Sequence, residues 1–391
     1  MHYDHIIVGG GMSGSTLARV LALAGARVLL IEKTGRFSDR IRGEGMHPWG
    51  VAETRTLGIY DLLLKQCALE VPRWTTRLPG RPVQPRDLSA TTPAGTGVMD
   101  FYHPEMQQTL LEAAAEAGAE VWRKAHVTGV HPGSPARIEV AREGLAHDFT
   151  ADLIVGADGR DSDVRRLAGL PLERDADNPV VVAGLRMRGL PMDSTSVHVC
   201  IHRNFGALSI FFPTGEDSWR AYYADMNSEK VRSLTGRRNV DAFIARCVEA
   251  GADAEWFADA ETDGPLANFD GADRWVACPA TDGVALVGDA AGSPDPSWGS
   301  GLAMSLRSVR MLREELLASR DPGEAARRYA ERQAEDFRKL QVVESFNRRT
   351  LFAQGAEADA FREKAFARFA EGTAPDMIGL GPDNPPDRLE L

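Results

Sequence analysis

Ile6-Ile7-Val8-Gly9-Gly10-Gly11-Met12-Ser13-Gly14 sets three apolar β-formers before a glycine turn, and Ser15–Ala24 follows with Leu17, Val20, Leu21 and Ala24 at helical spacing. This order reads as strand, turn, helix. Gly9, Gly11 and Gly14 fit GxGxxG: the first permits a tight turn, the second lets backbone approach a pyrophosphate, and the third lets helix pack on strand. Ser13 lies inside the same turn. The pyrophosphate is expected at the helix N-terminus, where free N–H groups and the macrodipole favour anions. A second strand, Arg27–Ile31, ends at Glu32, eighteen residues beyond Gly14. An acid at that place accepts both ribose hydroxyls and disfavours a 2′-phosphate, so the expected nucleotide is FAD or NAD, not NADP.

The remaining composition narrows the function class. The 391 residues carry 45 Lys+Arg against 56 Asp+Glu, a net charge of −11, with no dense basic block. Nucleic acid is therefore excluded as the main partner, because affinity for it rests on phosphate neutralisation. No apolar run approaches the roughly 18 residues that a spanning helix needs, and the first strand begins within a few residues of Met1, so neither a membrane span nor a signal peptide is expected. Cys67, Cys200, Cys247 and Cys278 are far apart without CxxC spacing. They read as reduced core thiols, with no metal site, in a cytoplasmic chain.

Two later motifs specify the nucleotide. Ala151–Gly156 is a buried-strand pattern running into Asp158-Gly159 and then Ser162, Val164 and Arg165; Gly283–Val287 repeats the pattern into Gly288-Asp289-Ala290-Ala291. GxGxxG, then DGxxSxVR, then a late GDAA followed by Gly299-Ser300-Gly301, resembles the FAD-dependent monooxygenases of the para-hydroxybenzoate hydroxylase type. Flavin halogenases and geranylgeranyl reductases share the first and last motifs. The resemblance covers roughly residues 4 to 320.

The resemblance implies an α/β fold: a Rossmann-like FAD domain (1–70, 97–175 and 277–322) interleaved with a β-sheet substrate domain (71–96 and 176–276), followed by C-terminal helices and an extended tail (323–391). It also implies roles for individual residues. Arg42 reaches the pyrophosphate, as its charge and fork geometry suit, and His103 takes the place of the family's Arg or Gln before Leu110-Leu111. Asp289 holds a ribityl hydroxyl, and Pro296, Gly299, Ser300, Gly301 and Leu302 face the flavin ring. Asp158 and Gly159 brace the flavin region, and Lys33 and Val127 complete the expected cofactor contacts. Departures are the GDAAG in place of GDAAH and Ala303 where an Asn often stands. The halogenase WxWxIP signature and its lysine are absent from the sequence.

Val180–Arg188, Ser196–Ile201, Ala207–Phe212 and Ser218–Asp225 read as strands, with a hairpin turn at Thr214–Asp217. In the resembled family such a sheet walls the substrate pocket. Trp49, His198, Phe211, Arg220, Tyr222 and Trp298 are the candidate substrate contacts, and His47 is the candidate for proton handling. The implied reaction is monooxygenation: NADH or NADPH reduces FAD, O₂ forms a C4a-hydroperoxyflavin, and a small aromatic or secondary-metabolite substrate takes the oxygen by hydroxylation, epoxidation, Baeyer–Villiger insertion or N-oxidation. The alternative is a two-component oxygenase or halogenase supplied with reduced FAD by a partner flavin reductase. A homodimer is the other macromolecular partner left open.

Overall fold

The computed structural model describes residues 1–41 and 43–389. Five strands run parallel in the order Val284–Leu286, Leu145–Gly156, His2–Val8, Val28–Glu32, Glu120–Arg123. The long strand Leu145–Gly156 also turns back on Ala136–Arg142, which pairs with Ala125–His131 in an antiparallel meander. Strands buried on both faces read as continuous apolar runs, and Ile6, Ile7, Leu29, Leu30, Ile154 and Val155 are almost wholly buried. Helices Met12–Leu23, His103–Glu116 and Gly301–Ala318 cover one face. No helix among the described residues is long and apolar enough to cross a membrane.

A second, largely antiparallel sheet is ordered Glu261–Thr262, Val181–Arg188, Ser218–Asp225, Ala207–Gly215, Ser196–Ile201, Arg73–Arg77, Gln84–Asp87. The strands expected at 196–201 and 218–225 stand at those bounds, while Ala207 continues to Gly215 and leaves only Glu216-Asp217 to turn the hairpin. A small sheet, with Val98–Phe101 flanked by Gly45–Met46 and Ala68–Val71, lies against the Ala207–Gly215 strand. It brings the segment after Val28–Glu32 under the large sheet.

Local expectations shift in three places. The first helix begins at Met12 with Gly11 as N-cap, three residues earlier than apolar periodicity marks it, because the last residues of the glycine motif are already helical. Cys278 is exposed, although the other cysteines are buried or partly so; all four are free. The proline-rich tail is not simply extended: Met377 and Ile378 are buried, Gly381–Asp383 forms a 3₁₀ turn, and Asp383 makes a two-pronged contact with Arg307 at 2.7 and 2.6 Å. Arg307 also meets Glu53, so a buried guanidinium joins the tail to two helices. Asp376 is held by Arg86 at 2.9 and 2.7 Å, tying the tail to the edge of the large sheet.

A Cβ on Gly14 would overlap the carbonyl oxygen of Gly9 and touch the Ala157 side chain at 3.1 Å. Gly14→Ala is therefore expected to lower stability by about 1–3 kcal/mol, the usual cost of overpacking, measured as a fall in the urea unfolding midpoint.

Candidate active site

The glycine turn is built by backbone proximity. Gly9 has φ +109°, and a Cβ there would collide with the Ala157 carbonyl. Glu32, at the end of its strand and buried, reaches back across the turn: Gly10 N donates to Oε2 at 2.7 Å, and Thr34 N donates to Oε1 at 2.7 Å. The Thr34 hydroxyl donates to Oε1 as well, at 2.7 Å, so the carboxylate is fixed beside the turn with about one acceptor site left for a hydroxyl donor. Gly11 faces Gln107, whose Nε2 is 3.6 Å from the Cβ position of Gly11. The sequence reading missed Gln107, although it stands one helical turn after His103 and hence on the same face. His103 Nδ1 meets the Gly43 carbonyl at 2.9 Å. Ser13 is buried beside Gly288, whose φ of +61° and close approach leave no room for a side chain.

Other expected cofactor residues are dispersed around this turn. Arg42 lies outside the described residues. Lys33 is exposed and Val127 is half-buried in the meander. Asp158 has a local role: it accepts from the Ser162 hydroxyl at 2.5 Å and from Val164 N at 3.0 Å, bracing the start of helix Asp163–Leu167. Burial raises its carboxyl above the usual range. Gly159 has φ +84° in the same turn. Asp289 stands in the short 3₁₀ turn Gly288–Ala290 after the Val284–Leu286 strand.

The loop before Gly301–Ala318 is tightly fastened. Asp295 accepts from Ser297 N at 2.8 Å and Asn178 Nδ2 at 2.7 Å, and Pro296 packs against Gly271. Gly299 is left-handed at φ +76°, beside His47. Ser300 is the N-cap without a side-chain cap bond, and a Cβ on Gly301 would meet nothing within 4 Å. The first N–H groups of the helix have no partner within it, a setting for an electron-rich ring edge. Leu302 leans towards Gly43.

The large sheet divides the candidate substrate residues between its faces. Arg220 and Tyr222 point towards Asp39, Gly43 and Glu44. The Tyr222 hydroxyl donates to Glu44 and accepts from Gly43 N at 3.1 Å; Arg220 bridges Asp39 at 2.6 Å and Glu44 at 3.1 Å. Phe212 lies on this face, ring to ring with Tyr222 and Trp74. Phe211 and His198, paired across two strands, occupy the opposite face against Trp256. The register thus puts Phe212 where Phe211 was expected, since adjacent strand residues point to opposite faces. Trp49 is buried under the tail, its Nε1 donating to the Met377 carbonyl at 3.1 Å. Trp298 stacks on Trp74 at 6.1 Å, and His47 approaches Trp74 at 5.6 Å. His47 Nε2 meets the Trp298 carbonyl; a carbonyl only accepts, so Nε2 carries the proton. Burial lowers the imidazole to about 4, leaving it neutral near pH 7 and a weak base, which speaks against the proton-handling role expected for it.

A model of the FAD binding domain family matches residues 2–336. The 6-methylpretetramide 4-monooxygenase of Streptomyces rimosus is 27% identical, with 93% of this chain and 88% of that protein covered. Digeranylgeranylglycerophospholipid reductase 1 of Methanococcoides burtonii is 26% identical over 78% of this chain and 72% of its own length. Among solved structures, the flavin-dependent halogenase CmlS superposes with a TM-score of 0.79 at 18% identity, covering all of this chain and 74% of that one. The last likeness is one of fold.

Glu32→Ala removes the acceptor that holds Gly10 N in the glycine turn, and FAD affinity is expected to fall at least about tenfold, by fluorescence titration of the apoprotein. For His47, the folded value near 4 lies below the free value of 6.5, so between these the unfolded chain binds a proton that the folded chain refuses. Stability contributed by neutral His47 is full above pH 6.5 and falls by about 3 kcal/mol as pH drops towards 4. His47→Gln should abolish that part of the pH slope in denaturant titrations.

Proposed function

Because this chain belongs to the FAD binding domain family, we propose that it is a monooxygenase, an FAD-dependent oxidoreductase that inserts one atom of O₂ into a small organic substrate. One juxtaposition carries the reading: Gly43–His47 and the Pro296–Gly301 turn, joined through His47 and Trp298, lie under the aromatic face of the large sheet. When bound, FAD supplies electron storage and O₂ activation, with NADH or NADPH as electron source. The residues present suit it: Gly9, Gly11 and Gly14 admit the pyrophosphate, Glu32 the ribose, and the N–H groups opening at Gly301 the ring edge. In this reading residues 1–70, 97–175 and 277–322 form the cofactor domain, residues 71–96 and 176–276 the substrate domain, and residues 323–391 its buttress.

The chain's own residues then have distinct tasks. Trp74, Phe212 and Trp298 shield the reacting centre from water, which oxygen transfer requires. The tail adds to the seal, since Ser300 Oγ contacts Met377 Sδ at 3.2 Å. Neutral His47, a base weakened by burial, offers Nδ1 to the substrate as a hydrogen-bond acceptor and does not take its proton, and Tyr222 with Glu44 orients the segment beneath it. The buried carboxyls Glu44 and Asp100 and the unpaired Trp298 Nε1 suit a substrate with polar groups better than a hydrocarbon chain. That favours oxygenation over the isoprenoid reduction named for one relative.

The purified protein is expected to be yellow, and anaerobic addition of NADH or NADPH with substrate to bleach it, identifying the reductant. Colour that persists with both nucleotides, but yields oxygenated product when chemically reduced FAD is supplied, assigns electron delivery to a separate reductase. A colourless protein that cannot be loaded with FAD overturns the proposal.

A further inference from the structure

Between Thr373 and Leu389 the tail has no strand and no helix longer than the four residues Pro386–Leu389, yet its middle is closed on itself. Asn384 is buried; its Oδ1 accepts from Asp376 N at 2.8 Å, and its Nδ2 donates to the Asp376 carbonyl at 3.1 Å and to the Gly381 carbonyl at 2.7 Å. Asp376 Oδ1 accepts from Gly379 N at 2.9 Å. A loop whose two ends are pinned together by its own side chains moves as one piece.

This piece lies across the start of Gly301–Ala318 and the aromatic face of the large sheet. Met377 Sδ accepts from the Ser300 hydroxyl at 3.2 Å, and the Met377 carbonyl accepts from Trp49 Nε1 at 3.1 Å. Gly381 packs so closely on the Trp49 ring that a Cβ there would overlap it. Ile378 is buried in the apolar group that also holds Trp74, Phe212, Tyr222 and Trp298. At its two ends Arg86 grips Asp376 at 2.9 and 2.7 Å, and Arg307 grips Asp383 at 2.7 and 2.6 Å. Among the described residues no backbone-to-backbone hydrogen bond joins Asp376–Asn384 to another element. Segments fastened by side chains alone open locally while the rest of the fold stays intact.

We propose that Asp376–Asn384 is a latch: closed, it covers the flavin-facing turn, and FAD enters and leaves only while the latch is open. The inference rests on FAD occupying that turn, as in the monooxygenase reading, and adds a gate to it. With the ring edge at the N–H groups opening at Gly301, Trp298 and Trp74 stand on the sheet side of the ring, and Met377 and Ile378 on the tail side. The latch is fastened to the protein itself, so its opening speeds entry and exit alike and leaves the affinity nearly unchanged.

The test uses the full chain and follows FAD uptake by the apoprotein and FAD release on dilution, both by flavin fluorescence after rapid mixing. Asp376→Asn keeps an acceptor for Gly379 N while removing the charge that Arg86 grips, and Asp383→Ala frees the other end. The double variant is expected to take up and to release FAD about tenfold faster or more, with its affinity within about threefold of wild type. Asp383 is half exposed and its partner Arg307 keeps Glu53, so Asp383→Ala alone should speed both rates about threefold, as the loss of a surface ion pair allows. Release that quickens without uptake makes the tail a wall holding bound FAD and overturns the latch. Uptake that quickens alone, or neither rate moving, overturns it as well. Should the double variant not fold, Asp383→Ala decides by the same pair of rates. Failure of the wild-type chain to take up FAD would instead defeat the flavoenzyme reading itself.

Discussion

The contact on which the architecture depends is the approach of the first helix to two strands at Gly9, Gly14 and Ala157. Gly14 sits against the Gly9 carbonyl, and Gly9 against the Ala157 carbonyl, so three backbones meet where one added methyl group would part them. That closeness aims the N-terminus of Met12–Leu23 at the ends of His2–Val8 and Leu145–Gly156. Glu32 then locks the third element by accepting from Gly10 N. A phosphate-binding turn follows from packing density before any ligand is considered.

A second layer of the design is electrostatic. Asp39, Glu44, Arg220 and Tyr222 form one buried network between the segment after Val28–Glu32 and the large sheet. Breaking one member of such a network leaves the others charged and unpaired, which is costly in a dry interface. The network therefore fixes the distance between cofactor segment and sheet. Arg307 performs a similar task on the other side, joining helices Pro48–Thr56 and Gly301–Ala318 to the tail through Glu53 and Asp383.

Particular residues show what was legible in the linear chain. GxGxxG with Glu32 was readable because every part of it is local: strand, turn, helix and the next strand end lie within about thirty residues, as in such units generally. The strands at 196–201 and 218–225 were readable from alternation alone. Phe212 was not, because a face is fixed only once hairpin register is known, and a shift by one residue exchanges the two faces. Asp158 reads from its motif as a brace of the flavin region, and its oxygens accept from Ser162 and Val164 a few residues away, contacts that the motif's spacing already holds. Gln107, Trp74 and Asp100 belong to no motif and enter the site only through packing.

The sequence by itself determined the glycine turn, the apolar runs of the first sheet, the alternation in strands of the second and the acidic charge balance, since these are set by spacing and composition within short windows. Tertiary structure alone decided which face of the large sheet meets Asp39, Glu44 and His47, that His47 is neutral with a bare Nδ1, that Trp298 stacks on Trp74, and that Asp100 lies buried with neither carboxyl oxygen hydrogen-bonded. The physical reason is that burial, tautomer and partner are properties of neighbours distant in the chain: Met46 and Met99 are paired, as are Val197 and Trp74, and no local pattern encodes which of them will meet.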